Sequence, residues 1–341
     1  MQKFATCTKS IRSIIFVGAF ILSTMTTTEA ARRQLNVGTG FTGSSMHMFG
    51  TVLAKHLQQT LRIRVTAQPF IGPSVFIPLV NNSDLELGLT SMVDGGTAYT
   101  GTGREANKNL RAVARLWSMP FAFMTRKDSG ISTVADLKGK KVVLKVSAAT
   151  AINLMAGAML EAGGLSEDDI TVVTVSGVGQ GMEAVIEGNA DATPGSLRMG
   201  IVKKANATVG IRVLNLERDP SSDRFETESA PGFSTYDVKA EDYPVAETDK
   251  VIFAMDIYLM APADLEDEEV ERVLDVLHSN WSEMQKEFAG IATSSLEDFV
   301  HPSQTFPYHK AAVEYFKSGK SKAIWNEEAE QRNQKLLEVW E

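Results

Sequence analysis

Leu35-Asn-Val-Gly-Thr-Gly-Phe-Thr-Gly43, continued by Ser44-Ser-Met-His-Met-Phe49, reads as a short strand over Leu35 to Thr39, a glycine-rich turn and the start of a helix. Met46, Phe49, Leu53 and Leu57 recur at helical spacing, which predicts a helix from Ser45 to about Gln59. The pattern continues with a strand over Ile63 to Gln68 closed by Pro69, a short helix over Ser74 to Val80 and a third strand over Leu85 to Thr90. Asp94-Gly95-Gly96 is expected to break the chain soon after. Strands alternating with helices imply a mostly parallel sheet flanked by helices, so the class is α/β.

The same alternation restarts further on. Leu110 to Trp117 and Phe121 to Arg126 are expected as two strands separated by Ser118-Met119-Pro120, where the chain crosses into a second unit. There Lys141 to Val146, Ile170 to Val175 and Asp191 to Thr193 read as strands, and Thr150 to Ala162, Gly179 to Glu187 and Gly195 to Lys204 as helices. The apolar run Val251 to Met260 carries the backbone back, and three amphipathic helices are expected near 267–288, 307–317 and 326–340. Two α/β units joined by two extended crossings make a two-lobed clamshell with its ligand cleft between them. The expected division is 31–118 plus 255–341 for the first lobe and 119–254 for the second, with the hinge near Met119 and Val251 to Met260.

Composition narrows the chemistry. The 341 residues carry a formal charge of -8, with 43% apolar and 22% charged residues, so no basic stripe for nucleic-acid phosphates is expected. Cys7 is the only cysteine, which excludes a disulfide framework. It lies in a segment where Lys3, Lys9 and Arg12 precede the apolar run Ile14 to Leu22 and small residues lead to Thr28-Glu29-Ala30. That is the pattern of a signal peptide over residues 1–30, cleaved after Ala30, and it predicts export. The apolar run is too short for the roughly 20 residues of a membrane-spanning helix.

Function is sought in the turns between strands and helices, which face the cleft in such a fold. Gly38-Thr-Gly-Phe-Thr-Gly43 matches G-x-G-x-x-G, but the second strand ends Thr66-Ala-Gln-Pro69, without the acid that would hold a ribose. The turn is suited to an anion, because backbone N–H groups and a helix start favour negative charge; a plain turn capped by Ser44 or Ser45 is the other reading. Ser147-Ala-Ala-Thr150 sits between a strand and a helix of the second unit, and opposed helix starts would clamp one carboxylate; simple capping by Ser147 or Thr150 is the other reading. Ser91, Met92 and Asp94 follow the third strand and are expected nearby. Gly195 and Arg198 lie in Pro194-Gly-Ser-Leu-Arg198, which is expected to begin a helix and to offer a guanidinium to the ligand, with a surface arginine as the alternative. The five histidines have no metal-ligand spacing and no G-x-S-x-G elbow occurs, so no cofactor, metal or catalytic residue is expected.

Beyond these readings the chain resembles the TAXI-type solute receptors of tripartite ATP-independent periplasmic (TRAP) transporters, proteins of the type II-like periplasmic binding class. The likeness rests on Val37-Gly-Thr-Gly-Phe-Thr-Gly43 with Gly50, Val65-Thr-Ala-Gln-Pro69 with Gly72 and Ser74-Val75, Asp84-Leu-Glu-Leu-Gly88, the stretch Ser129 to Val142, and Gly188-Asn-Ala-Asp-Ala192. Phe306-Pro-Tyr-His309 through Gly319 also looks like the family's closing segment. The resemblance implies a periplasmic receptor, not an enzyme, that captures a small organic acid or amino acid and hands it to membrane permease subunits. By motif match it implies ligand contacts from Thr39, Gly40, Phe41, Thr42, Ser44, Ser45, Ser91, Met92, Ser147 and Thr150. The chain departs from the family at Met46-His47, Ile77 and Ser91, which makes glutamate a poor fit. Phe41, Met46, Phe70, Phe76 and Met92 near the turns predict a carboxylate less polar than glutamate. An ABC importer or a sensor system served by the same receptor type is the nearest alternative; an exported enzyme and a surface adhesin are more distant ones.

Overall fold

The first strand of the computed structural model, which describes residues 34–216, 233–301 and 304–340, is β1 (Gln34–Thr39), with Leu35 and Val37 buried in the core. The expected export segment and Cys7 lie outside the described residues. α1 (Ser45–Leu61) follows; Ser44 caps it by accepting the N–H of His47, which satisfies one of the donors a helix start leaves open. Its inner face buries Phe49, Leu53 and Leu57, each fully, and a side chain of that size contributes roughly 1.5–3 kcal/mol when withdrawn from water. Phe49 packs edge-on against Trp117, 5.0 Å between ring centres, and lies 6.2 Å from Trp281. These contacts anchor the helix so that its first turn is held at the cleft.

β2 (Arg64–Pro69), α2 (Pro73–Asn81), β3 (Leu87–Ser91) and α3 (Met92–Thr100) complete the first half. α3 runs straight through Asp94-Gly95-Gly96, where a break was expected. The glycines are there for packing: a Cβ on Gly95 would stand 2.4 Å from the ring of Phe306. Ser91 caps this helix by accepting the N–H of Asp94.

β4 (Leu110–Arg126) is one 17-residue strand, not two. Pro120 is tolerated inside it because its neighbour on one side, β7 (Ala192–Ser196), begins to pair only at Phe121, so a missing N–H there interrupts no ladder on that edge. The second half contains β5 (Lys141–Val146), α4 (Thr150–Ala162), β6 (Thr171–Val175), α5 (Val178–Glu187), β7, α6 (Gly200–Thr208), β8 (Ile211–Val213) and β9 (Phe233–Val238). β10 (Lys250–Pro262) returns to the first half, followed by α7 (Asp267–Glu287), α8 (Lys310–Lys317) and α9 (Glu327–Leu337).

All ten described strands belong to one sheet, ordered β2-β1-β3-β10-β4-β7-β5-β6, with β8 added to β4 and β9 to β10. β2, β1 and β3 are parallel, as are β7, β5 and β6; the antiparallel pair β4 and β10 stands in the middle and is shared by both halves. Two lobes therefore hang from one pair of crossing strands, and a single continuous core runs through both. At the crossing, Arg115 on β4 forms an ion pair with Asp256 on β10, Nε to Oδ2 at 2.8 Å, and Ser118 donates to the same carboxylate at 2.6 Å. The register of the two strands slips beside this pair, between Ile257 and Tyr258.

Candidate functional site

The turn after β1 and the first turn of α1 bring Gly40, Phe41, Ser44, Ser45 and Met46 to the edge of a cleft whose empty space, open solvent at its mouth included, is about 500 Å³. The turn before α2 adds Ile71, Gly72 and Pro73, and α3 adds Asp94. The floor is made by Met119 and Phe121 of β4 with Met255 of β10. From the other half come Ala149 and Ile152 at the start of α4, Val178 at the start of α5, and Ser196 and Met199. Most of these side chains are apolar, with Ser44, Ser45 and Ser196 as hydroxyls and Asp94 as the ionisable group.

The two halves touch directly around this space. Ser74 N–H donates to the carbonyl of Ala148 at 3.2 Å, and Gly200 N–H to the carbonyl of Gly43 at 2.9 Å. Ser45 Oγ lies 3.4 Å from Ser196 Oγ. Gly72 makes the approach possible, since a Cβ there would stand 2.2 Å from the carbonyl oxygen of Ala148. A fourth link involves a carboxyl group: Ala151 N–H, in the first turn of α4, donates to Asp94 Oδ1 at 3.0 Å. Ser91 Oγ donates to Asp94 Oδ2 at 2.9 Å. Burial holds the Asp94 carboxyl above its ordinary range, while the Ala151 amide, the Ser91 hydroxyl and the field of Arg104 pull the other way.

Six of the residues expected at the ligand site line the cleft together: Gly40, Phe41, Ser44, Ser45, Met46 and Asp94. The others sit elsewhere. Thr39 is buried, its hydroxyl 3.0 Å from the carbonyl of Gln68 and 2.9 Å from Nδ1 of His47, whose pKa burial lowers. Thr42 and Ser147 are exposed, and Thr150 is half-buried at the head of α4 without lining the space. Ser91 acts as a helix cap, and the carbonyl of Met92 accepts the hydroxyl of Thr305. Phe76 and Met92, expected at the cleft, are in the core, and Phe70 packs on Phe76 at 5.6 Å.

Gly195 and Arg198 need a correction of the local reading. β7 continues through Ser196 and α6 begins only at Gly200, so the stretch around Gly195 is strand and not helix. Gly195 is buried against Met124. Arg198 lies over the ring of Tyr243, 4.1 Å from its centre, and does not line the cleft. The Tyr243 hydroxyl is pushed up to about 12, chiefly by burial. The expected opposed pair of helix starts is also changed, because in α4 the Ala151 amide is already taken by Asp94. Ile71, Met119, Ile152, Val178, Met199 and Met255 were not singled out as lining residues; no local motif marks them, because they come from separate turns, helix starts and the two crossing strands and meet only in the tertiary structure.

The model of the NMT1-like family matches residues 37–318. The chain belongs to that family. Its fold is similar to MatC of Rhodopseudomonas palustris with bound malate, at 15% identity over 91% of this chain and 99% of that one, with a TM-score of 0.56. The periplasmic binding protein BugD is similar at 12% identity, over 90% and 96% of the two chains, with a TM-score of 0.55. The periplasmic aliphatic sulphonate binding protein SsuA of Escherichia coli matches at 17% identity, 90% and 91% coverage and a TM-score of 0.50. This NMT1-like chain therefore has the two-lobed α/β fold of periplasmic binding proteins. Among its described residues no helix is long and apolar enough to cross a membrane, and no group of three or more His, Cys, Asp and Glu could hold a metal ion.

Proposed function

We propose that this NMT1-like chain is an extracytoplasmic solute receptor, exported to the periplasm after cleavage near Ala30, which takes a small organic solute between its lobes and delivers it to membrane permease subunits. The observation that carries this reading is the cleft itself, roofed by contacts from both halves and floored by the two strands that join them. Binding without chemistry suits a site whose side chains are mostly apolar. The lobes are 31–118 plus 255–341 and 119–254, and they open and close about the β4/β10 crossing, as the expected hinge at Met119 requires.

The TAXI motifs quoted above favour a TRAP permease as the membrane partner; an ABC importer is the alternative. Uptake into vesicles holding receptor and permease tells them apart, because a TRAP system runs on an ion gradient and an ABC system on ATP. Solute identity is approached most directly by native mass spectrometry of protein purified without refolding. A bound small molecule of defined mass is the expected result. Repeated absence of any adduct, together with no heat from a broad panel of metabolites, would refute the receptor reading.

A further inference from the structure

Among the described residues Asp94 is the one lining residue of the cleft whose side chain ionises, and it is 2% exposed. Its two oxygens hold neutral donors, Ala151 N–H on Oδ1 and Ser91 Oγ on Oδ2. Among the described residues no ion pair reaches it; Arg104 acts on it through space but donates to its backbone carbonyl at 3.3 Å and to Thr97 Oγ1 at 3.0 Å. A carboxylate oxygen has two lone-pair sites, so each oxygen retains acceptor capacity. A buried carboxylate without a cation is costly, and a cation that arrives with good geometry offsets that cost.

An anionic solute meets the opposite situation. Among the described residues no lysine, arginine or histidine lines the space, the α4 amide that would receive an anion is occupied, and the anion would face Asp94 itself. A primary ammonium brings three donors and the missing charge, while a short hydrocarbon body suits the methionines and phenylalanines around it.

We propose that Asp94 is the specificity-determining residue of this cleft and receives the ammonium group of a small amine whose carbon body packs against Met46, Phe121, Ile152 and Met199. The proposal rests on the receptor reading and names the solute class of that same site. Asp94 also positions α4, so its role toward solute is read from selectivity and not from stability.

The test is isothermal titration of the intact protein with two probes of equal chain length, hexylamine and hexanoate. Hexylamine is expected to bind at least about tenfold more tightly. In D94N that preference is expected to vanish or reverse, whereas a purely structural role would weaken both probes alike and leave their ratio unchanged. If D94N does not fold, as judged by circular dichroism and melting, the ratio in the unmodified protein decides alone. Hexanoate binding as tightly as hexylamine, or more so, overturns the proposal and leaves the receptor reading intact. No heat from either probe also overturns it, and the receptor reading is then decided separately by the co-purified solute.

Discussion

The amide of Ala151 donates to the Asp94 carboxylate across 3.0 Å, tying the first turn of a helix in one lobe to a capped helix in the other. The residues are 57 positions apart in the chain. In the proposed opening of the lobes this bond would break, so Asp94 joins the cleft wall to the contact between the halves. The charge also complements the partial positive charge of the α4 start.

Asp94 has a defined effect on stability against pH. Its folded pKa is raised, so between the ordinary value of 3.8 and the raised one the native chain keeps a proton the unfolded chain has lost. Stability from that proton is present at low pH and disappears as pH rises through the folded value. The melting temperature of the wild type is therefore expected to drop relative to D94N across that window and to run parallel above it. Melting curves of both proteins from acid to neutral pH check this; a wild type that gains on D94N across the window would mean a lowered pKa.

Gly72→Ala places a methyl group where 2.2 Å separates it from the Ala148 carbonyl. Backbone cannot move aside as a flexible side chain would, so the lobes are expected to stand further apart. Small-angle scattering should show a larger radius of gyration, and solute affinity should fall by about tenfold or more. An unchanged radius with unchanged affinity would mean the approach at Gly72 is not needed for binding.

The Arg115–Asp256 pair is mostly buried, with side chains 13% and 11% exposed. Removing one partner leaves a charge without compensation, and Asp256→Ala is expected to cost roughly 3 kcal/mol in denaturant unfolding. The double change Arg115→Met with Asp256→Leu is expected to cost less than Asp256→Ala alone. Equal losses in single and double variants would show that the strands, not the charges, hold the crossing.

Arg198→Ala is expected to leave solute affinity unchanged, because the guanidinium stacks on Tyr243 and does not line the cleft. Stability should fall by about 0.5–2 kcal/mol, the range for a cation over an aromatic face. Titration and thermal melting of the same preparation read both quantities, and a tenfold loss of affinity would return Arg198 to the site.

Much of the fold was legible in the residues. The apolar spacing of Met46, Phe49, Leu53 and Leu57 marks α1, and Thr150 to Ala162 is α4 to the residue. The misreadings share a cause. Gly95 and Gly96 look like a break, and Ser118-Met119-Pro120 looks like a separation between two strands, because residue type is a local signal; Phe306 and the pairing of β4 are distant partners that local signals do not contain. The Gly195 stretch failed in the same way, being held as strand by its pairing with β4.

By itself the chain's order of residues determined an α/β protein of two units, the glycine turn before α1 and the absence of metal-ligand spacing, since each depends on neighbours a few positions away. Only the tertiary structure decided which side chains meet in the cleft. Met119 and Met255 meet through strand pairing, Ile71 and Met199 reach the same space from turns in opposite halves, and a carboxylate from α3 fills the amide at the head of α4. Those outcomes follow from long-range packing, where the energy of a contact depends on segments that periodicity within either one cannot specify.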